Sequence, residues 1–519
     1  MVLAICLTLF VLGLVTTHHV RPYNSDDVSW QNILLTWHPF SGEQVTLGSS
    51  DNFVDKLPIF MLFNQILEPT RSAILIESAI LGVIGFSLFY VSSIYFLAKA
   101  KIKLTYINLL PFVWLASFGH SFSQLYLLPD WRGFELGFAF ALIALVAKAC
   151  SLESVSFRSP KIVVATLFAS VLSGIIIYSD PYFLYFTLAP LVIAVIVLAI
   201  FKKIGLRVFG LILAGFVLAY LSSKLTEVIS HSAGIKLATE YPVQFVNFDQ
   251  LPSNIWHAVH SVLIIFGADF FGRPPFSAVT IAYIVNAILL ALIIRYLYVT
   301  GQTSKNLPRL DPAKCWRLYF ALLCLLVFTL YSVSTVQDGT STYRYFIIFV
   351  LSSVLLLSLV MGQLRDKRIL ACLLILASLL NIGVMIKSPN TYPMPGASGN
   401  NHNQVNYDII KTVKDENLSK GYANYWQGAI NTYLSKNKIT FLPAYCFNGQ
   451  ALKFHWLIDE STFSRKADRT FYLYDPLLPI TANCTPDEVR KHFGKPAETL
   501  TVDGKTLYIY EYDISSKLK

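Results

Sequence analysis

Charge is what this sequence has least of. Asp, Glu, Lys and Arg make up 14% of its 519 residues, and 55% are hydrophobic. Soluble chains carry roughly 25% charged residues, so an all-soluble protein is excluded. The scarcity is also uneven. Residues 1–386 hold long apolar runs, and residues 387–519 have an ordinary soluble composition. The sequence therefore reads as a transmembrane unit over 1–386, a linker over 387–403 and a small α/β domain over 404–519. No glycine-rich phosphate loop is present, which leaves a nucleotide-driven activity without support. The seven cysteines lack metal-type spacing. Cys6, Cys150, Cys315, Cys324 and Cys372 fall in or beside apolar runs and read as inert small hydrophobes. Cys446 and Cys484 are the two in the C-terminal domain; they are candidate disulfide partners if that domain faces an oxidising compartment, and the sequence leaves their pairing open. The first 17 residues lack a basic n-region and a small-x-small cleavage site, so they read as a retained first helix. The net charge of +10 is scattered in short clusters between apolar runs, so no nucleic-acid partner is expected.

The apolar runs lie near 1–17, 72–98, 104–118, 133–150, 161–178, 182–201, 206–223, 276–299, 316–334, 345–362 and 369–386. Most reach the roughly 17–25 residues that a spanning helix needs. A further run at 255–267 is too short to cross and reads as re-entrant or interfacial. With the N-terminus placed in the cytoplasm, the basic clusters at 99–103, 158–161, 202–207, 305–317 and 365–368 all fall inside. Eleven spans satisfy that alternation. It predicts an integral protein of a plasma or inner membrane whose C-terminal domain is extracytoplasmic.

In that domain, QVNYDIIKTVKDENLS and AINTYLSKNKI read as helices. Thr485-Pro-Asp-Glu488 fits a capping box with proline at the first helical position. TFYLYD, ETLTV and KTLYIYEY read as strands, the last two a hairpin on Asp503-Gly504.

The unusual polar residues of the membrane unit all fall on the outer side in this topology. They are Asp26 and Asp27, then His120, Asp130, Arg132 and Glu135, then Asp180, Asp269 and Arg273, and finally Asp338, Tyr343 and Arg344. Charge beside the apolar slab is costly and tends to pair or to line a cavity. The sharpest element is YNSDDVSW at 23–30. Adjacent carboxylates on a short loop can divide two tasks, one accepting a proton from an attacking hydroxyl and the other helping to hold a divalent cation. Each arginine also has a plainer reading, as the partner of its neighbouring aspartate: Arg132 with Asp130, Arg273 with Asp269, Arg344 with Asp338. His18, His19, His257 and His260 read as interfacial side chains. Trp30, Trp37, Trp114, Trp131 and Trp256 read mainly as a membrane-interface belt.

With these residues in view, the chain resembles the GT-C superfamily of integral membrane glycosyltransferases, which use polyprenyl-phosphate-linked sugars. The resemblance rests on the Asp26-Asp27 pair in the first outer loop, the multi-helix unit and the smaller outer domain. It also rests on DWRGFELGF (130–138), YSDPYFLYFTLAP (178–190), GADFFGRP (267–274) and STYRYFIIF (341–349). The resemblance implies transfer of a sugar from a polyprenyl-phosphate donor to a glycan, lipid or protein acceptor, among membrane lipids. It implies Asp26 or Asp27 as catalytic base or metal ligand, with Mg or Mn as the candidate ion. Physically, a departing lipid phosphate gathers negative charge that an arginine fork can stabilise, which makes Arg132, Arg273 and Arg344 the candidate phosphate ligands. His120, Asp130, Glu135, Asp180, Asp269 and Asp338 form the supporting polar cluster. The competing readings are a transporter or lipid flippase and an envelope polymer ligase or polymerase. Transporters place ionisable groups near the midplane, which this pattern does not.

Overall fold

The computed structural model describes residues 1–18, 28–48, 54–117, 132–151, 160–237, 243–303, 312–335, 341–361, 367–387, 402–455, 458–476 and 484–519. Helix α1 (Val2–His18) leads to a first connection that carries two short helices, α2 (Ser29–Thr36) and α3 (Leu57–Ile66). Beyond it come α4 (Arg71–Lys99), α5 (Tyr106–Ala116), α6 (Gly133–Cys150), α7 (Pro160–Ser179), α8 (Pro181–Ile200) and α9 (Leu206–Ser232). Helix α10 (Leu251–Ile265) is the short apolar segment, and α11 (Ala278–Thr303), α12 (Pro312–Val333), α13 (Ile347–Met361) and α14 (Lys367–Lys387) complete the bundle. Among the described residues, eight helices are long and apolar enough to cross a membrane, and three shorter apolar helices lie in α1, α5 and α7. The chain is a polytopic α-helical membrane protein.

Close backbone contact and a buried central helix set the geometry of the bundle. Helices α4 and α6 touch through glycines. A Cβ on Gly85 would collide with the Gly133 carbonyl, and one on Gly137 would collide with the Gly85 backbone. The small-residue spacing Gly133-x-x-x-Gly137 thus lets two backbones meet, as in membrane helix pairs generally. Helix α13 is apolar all round, and its span is 83% buried. It is the axis of the bundle, with Ser352, Ser353 and Ser358 as small buried residues facing neighbours. A polar link ties α5, α11 and α14: Trp114 Nε1 donates to Asn286 Oδ1 at 2.9 Å, and Asn286 Nδ2 donates to Asn381 Oδ1 at 3.0 Å. Trp114, Trp30 and Trp37 are buried, which corrects the interface-belt expectation for these three. Trp114 has a polar partner inside the bundle, and Trp30 and Trp37 pack together in the core of the first connection. Trp256 is exposed, and Trp131 lies outside the described residues.

The connections expected on one side do meet at one end. Strand β1 (Val45–Leu47) pairs in parallel with β2 (Ile235–Leu237), which comes directly after α9. The C-terminal region begins with α15 (His402–Asp415). It continues through β3 (Lys420–Ala423), α16 (Tyr425–Leu434), β4 (Thr440–Phe447), β5 (Gln450–Lys453), β6 (Ile458–Asp459) and β7 (Thr470–Tyr474). It closes with α17 (Pro486–Phe493), β8 (Glu498–Val502) and β9 (Lys505–Tyr510). Strand β6 pairs antiparallel with β1, so the C-terminal region adds a strand to the first connection. Asn32 Nδ2 donates to the Ala429 carbonyl at 2.6 Å, and Lys436 meets Glu68 at 2.5 Å.

The larger sheet runs β5-β4-β3-β7-β9-β8, with β3 parallel to both β4 and β7. A row of tyrosines, Tyr422, Tyr472 and Tyr508, crosses it in register. Phe493 of α17 covers that face, and Ile409 and Val413 of α15 cover the other. Covered faces explain why the central strands β3 and β7 are buried along nearly their whole length rather than on alternate residues. The capping box at Thr485 and Glu488 is present. The β8–β9 hairpin turns on Asp503 and Gly504, both at positive φ. Cys446 and Cys484 form a disulfide that ties β4 to the approach to α17.

Candidate functional site

At that end of the bundle three elements deliver charge to one buried place. The chain enters α3 through a single 3-10 turn, Val54–Lys56, with proline at the start of the helix. Arg132 caps α6, and Glu135 lies in its first turn. Asp180 caps α8 by accepting from Tyr182 N at 2.9 Å, with Pro181 at the first helical position. Exposures are 0% for Lys56, 1% for Glu135, 1% for Asp180, 8% for Asp55 and 9% for Arg132. Charges this far from water persist only when paired.

The pairing forms a closed circuit. Lys56 Nζ lies 2.5 Å from Glu135 Oε1. Arg132 grips Asp180 with two bonds, one from Nε to Oδ2 and one from Nη2 to Oδ1 at 3.1 Å. Ser179 Oγ donates to Asp55 Oδ1 at 2.5 Å. The covalent neighbours Asp55-Lys56 and Ser179-Asp180, and the first turn of α6, close the ring. Glu135 lies within electrostatic reach of Lys56, Asp55 and Asp180. The ring holds three carboxylates and two cations. Asp55 Oδ2 and Glu135 Oε2 are buried and accept no hydrogen bond from the described residues.

Aromatic rings connect this circuit to the bundle axis. The Arg132 guanidinium sits over the Tyr182 ring at 4.6 Å and the Tyr345 ring at 5.2 Å. The Tyr182 hydroxyl donates to the Tyr345 carbonyl. Arg344 approaches the same Tyr345 ring at 5.4 Å and is itself exposed. Both residues belong to the 3-10 turn Ser341–Phe346 that feeds α13. The central helix therefore presents Tyr345 between a buried arginine and an exposed one.

A second polar group lies between α10 and α11. His260 Nε2 is 3.2 Å from Asp269 Oδ2, and Arg273 Nε donates to the Asp269 carbonyl at 3.1 Å. The Arg273 guanidinium rests on the Tyr283 ring at 4.7 Å. Arg273 thus turns back on its own loop, close to the plainer sequence reading. Arg132 differs from that reading, because its carboxylate partner Asp180 comes from another helix.

Of the residues expected from sequence, Arg132, Glu135 and Asp180 come together. Arg344 joins them through Tyr345, and Asp269 and Arg273 form the separate pair. Asp26, Asp27, His120, Asp130 and Asp338 lie outside the described residues. Sequence reading missed Asp55, Lys56, Ser179, Tyr182 and Tyr345. Three of these lie within quoted segments: Ser179 and Tyr182 in YSDPYFLYFTLAP and Tyr345 in STYRYFIIF. Among the described residues no group of three or more His, Cys, Asp or Glu side chains is placed to hold a metal ion.

No protein-family model matches the chain. No curated protein matches it either. Among solved structures it is similar to the crystal structure of the Archaeoglobus fulgidus oligosaccharyltransferase in complex with zinc and sulfate. That similarity has a TM-score of 0.46 at 12% identity and covers 89% of this chain and 67% of that one.

Proposed function

We propose that the protein is a membrane glycosyltransferase. It takes a sugar from a polyprenyl-phosphate donor and passes it to a glycan, lipid or protein acceptor at the extracytoplasmic face of a plasma or inner membrane. The observation that carries this reading is Tyr345, shared by a buried, carboxylate-held Arg132 and an exposed Arg344 at the end of the bundle axis.

In this reading Arg344 meets the donor phosphate. Its tail stays in lipid, its head lies at the boundary, and charge growing on the leaving phosphate strengthens the contact towards the transition state. Arg132 is a positioning residue. Its fork is committed to Asp180, and it sets the Tyr345 ring against which Arg344 lies. The base belongs to Asp26 or Asp27, which take the acceptor proton. The described residues do not make a three-ligand metal set, and no step is assigned to a metal. A divalent ion in this reading takes ligands from Asp26 and Asp27.

The test is single-turnover transfer from a radiolabelled polyprenyl-phosphate sugar, with thermal stability measured in parallel. Arg344→Lys and Arg344→Ala should both slow transfer by roughly 10²-fold, because a point charge cannot reproduce the planar fork. Asp26→Asn with Asp27→Asn should cost roughly 10²–10⁴-fold. Variants that keep the rate and move only stability overturn the assignment.

A further inference from the structure

The half of the bundle away from the charged circuit contains a cleft between α6 and the pair α7–α9. Small residues explain its place. Glycines hold α6 against α4, and α7 meets α9 in the same way. A Cβ on Gly174 would collide with the Ala219 carbonyl, and one on Gly215 would press on Ser170 and Thr166. Each pair is tight, and the space between the pairs is left unfilled. Leu142, Leu145 and Val146 of α6 form one wall, and Ala165, Ala169 and Ala219 form the other. The cleft leaves about 180 Å³ for a ligand, and an apolar cavity of roughly 150 Å³ already admits benzene. Its walls are not sealed: Leu145, Ala149, Ala165 and Phe216 line it and are partly exposed. Phe168 of α7 and Leu213 of α9 are exposed beside it, as on a lipid-facing flank.

One charge belongs to this cleft. Lys148, in the last turn of α6, lines it and is exposed. A second ammonium stands alongside. Lys99 Nζ donates to Ser151 Oγ at 3.2 Å, and Ser151 Oγ donates to the Lys148 carbonyl at 2.8 Å. Lys99 is exposed too. The end of α6 accounts for a nearby lysine, but not for an apolar cleft leading away from it. Among the described residues no acidic side chain lines the cleft. Ser173 spends its hydroxyl on the Ala169 carbonyl at 2.7 Å, so it makes no demand on a ligand. The cleft therefore suits a molecule with an apolar body and an anionic head.

We propose that this cleft binds one anionic phospholipid, its acyl chain between α6 and the α7–α9 pair and its phosphate met by Lys148 with Lys99 alongside. A basic pocket between membrane helices is a general form of such a site. In the proposed orientation this end meets the cytoplasmic leaflet, where anionic lipids concentrate. The site is remote from Arg344 and does not depend on the transferase reading.

The experiment uses the full chain, delipidated in detergent and titrated with phosphatidylglycerol or phosphatidylcholine, with bound lipid counted by native mass spectrometry. One phosphatidylglycerol per chain should be retained, at least tenfold in preference to phosphatidylcholine. Lys148→Gln should weaken that retention by about fivefold. Lys202→Gln, a charge at the same end that does not line the cleft, should leave it unchanged. Ala149→Phe and Ala165→Phe, which fill the cleft from partly exposed positions, should each weaken it by tenfold or more. The proposal is overturned if the two lipids are retained equally, or if Lys202→Gln costs as much as Lys148→Gln, which is diffuse adsorption. It is also overturned if the filled variants keep their unfolding midpoint and still retain the lipid. Displacement of phosphatidylglycerol by an equal concentration of decaprenyl phosphate would overturn it as well, by showing an isoprenoid occupant. If the filled variants fail to fold, the comparison of Lys148→Gln with Lys202→Gln decides by itself.

Discussion

Replacing Lys56 by methionine removes the ammonium that faces Glu135 and keeps most of the side chain's volume. At 2.5 Å the pair attracts by about 7 kcal/mol with an effective dielectric of about 20. Desolvating the two ions costs several kcal/mol each, so the net worth of the pair against well-packed apolar residues is near zero. The single change is a different matter. It leaves Glu135, 1% exposed, with Asp55 and Asp180 nearby and one cation fewer in the ring. The expected loss is about 3–5 kcal/mol, and Glu135→Leu alone should cost a similar amount. The double variant Lys56→Met with Glu135→Leu should return to within about 1 kcal/mol of the original. The assay is reversible SDS-driven unfolding of the full chain in mixed micelles, run as a double-mutant cycle. Additive losses, or a Lys56→Met variant within about 1 kcal/mol of the original, would refute the buried pair. Transfer by the double variant supplies the second arm. If the circuit organises the site, the protein is stable yet slow.

Gly137→Ala should separate α4 from α6, because the added Cβ meets the Gly85 backbone; impaired folding and a lowered unfolding midpoint are expected, and an unchanged midpoint contradicts the close approach. Cys446→Ser with Cys484→Ser opens a 38-residue loop, and chain entropy puts the loss at about 4 kcal/mol; faster proteolysis of the C-terminal region checks it. Burial raises the Asp513 carboxyl, but bonds from Ser515 and Ala467 and the Lys420 charge outweigh burial and hold it below its ordinary 3.8. Its stabilisation is therefore complete above that value and lost as pH falls through the lower folded one. Asp513→Asn should destabilise the C-terminal region at pH 7, and the gap to the original should close in acid, as monitored by hydrogen exchange. A reporter active only in the cytoplasm, fused after Lys519, should stay silent; strong signal rejects the proposed orientation.

The helical bundle was legible because lipid imposes a minimum apolar length, and runs such as 369–386 have no other use. Local signals also carried through: the capping box at Thr485 and the positive-φ pair Asp503-Gly504 are encoded within four residues. Strands β1, β2 and β6 were not legible. Each has two or three residues, and their pairing joins positions near 45, 235 and 458. Lys56 failed for a related reason. A lone basic residue in a loop looks like a topology charge, and only its partner on α6 shows that it is buried. Arg132 has an aspartate two residues before it, so sequence proximity pointed to Asp130, while the fork found on the structure reaches Asp180.

In the proposed reading the arrangement of helix starts favours Arg344 over Arg132 as the phosphate ligand. α6, α8 and α13 all begin at this end, and each N-terminus carries a partial positive charge. Glu135 lies in the first turn of α6, and Asp180 caps α8, so carboxylates already answer two of them. Neither the 3-10 turn Ser341–Phe346 nor the first turn of α13 contains an acidic residue. Arg344 adds its own charge just there and is exposed, while α13 is the most enclosed of the described spans. In the proposed reading Arg132 is held by Asp180 and the phosphate is met by Arg344. That reading gives the carboxylates of the circuit a use beyond stability. In the proposed reading they answer the field of α6 and α8, and the donor phosphate is drawn to the start of α13.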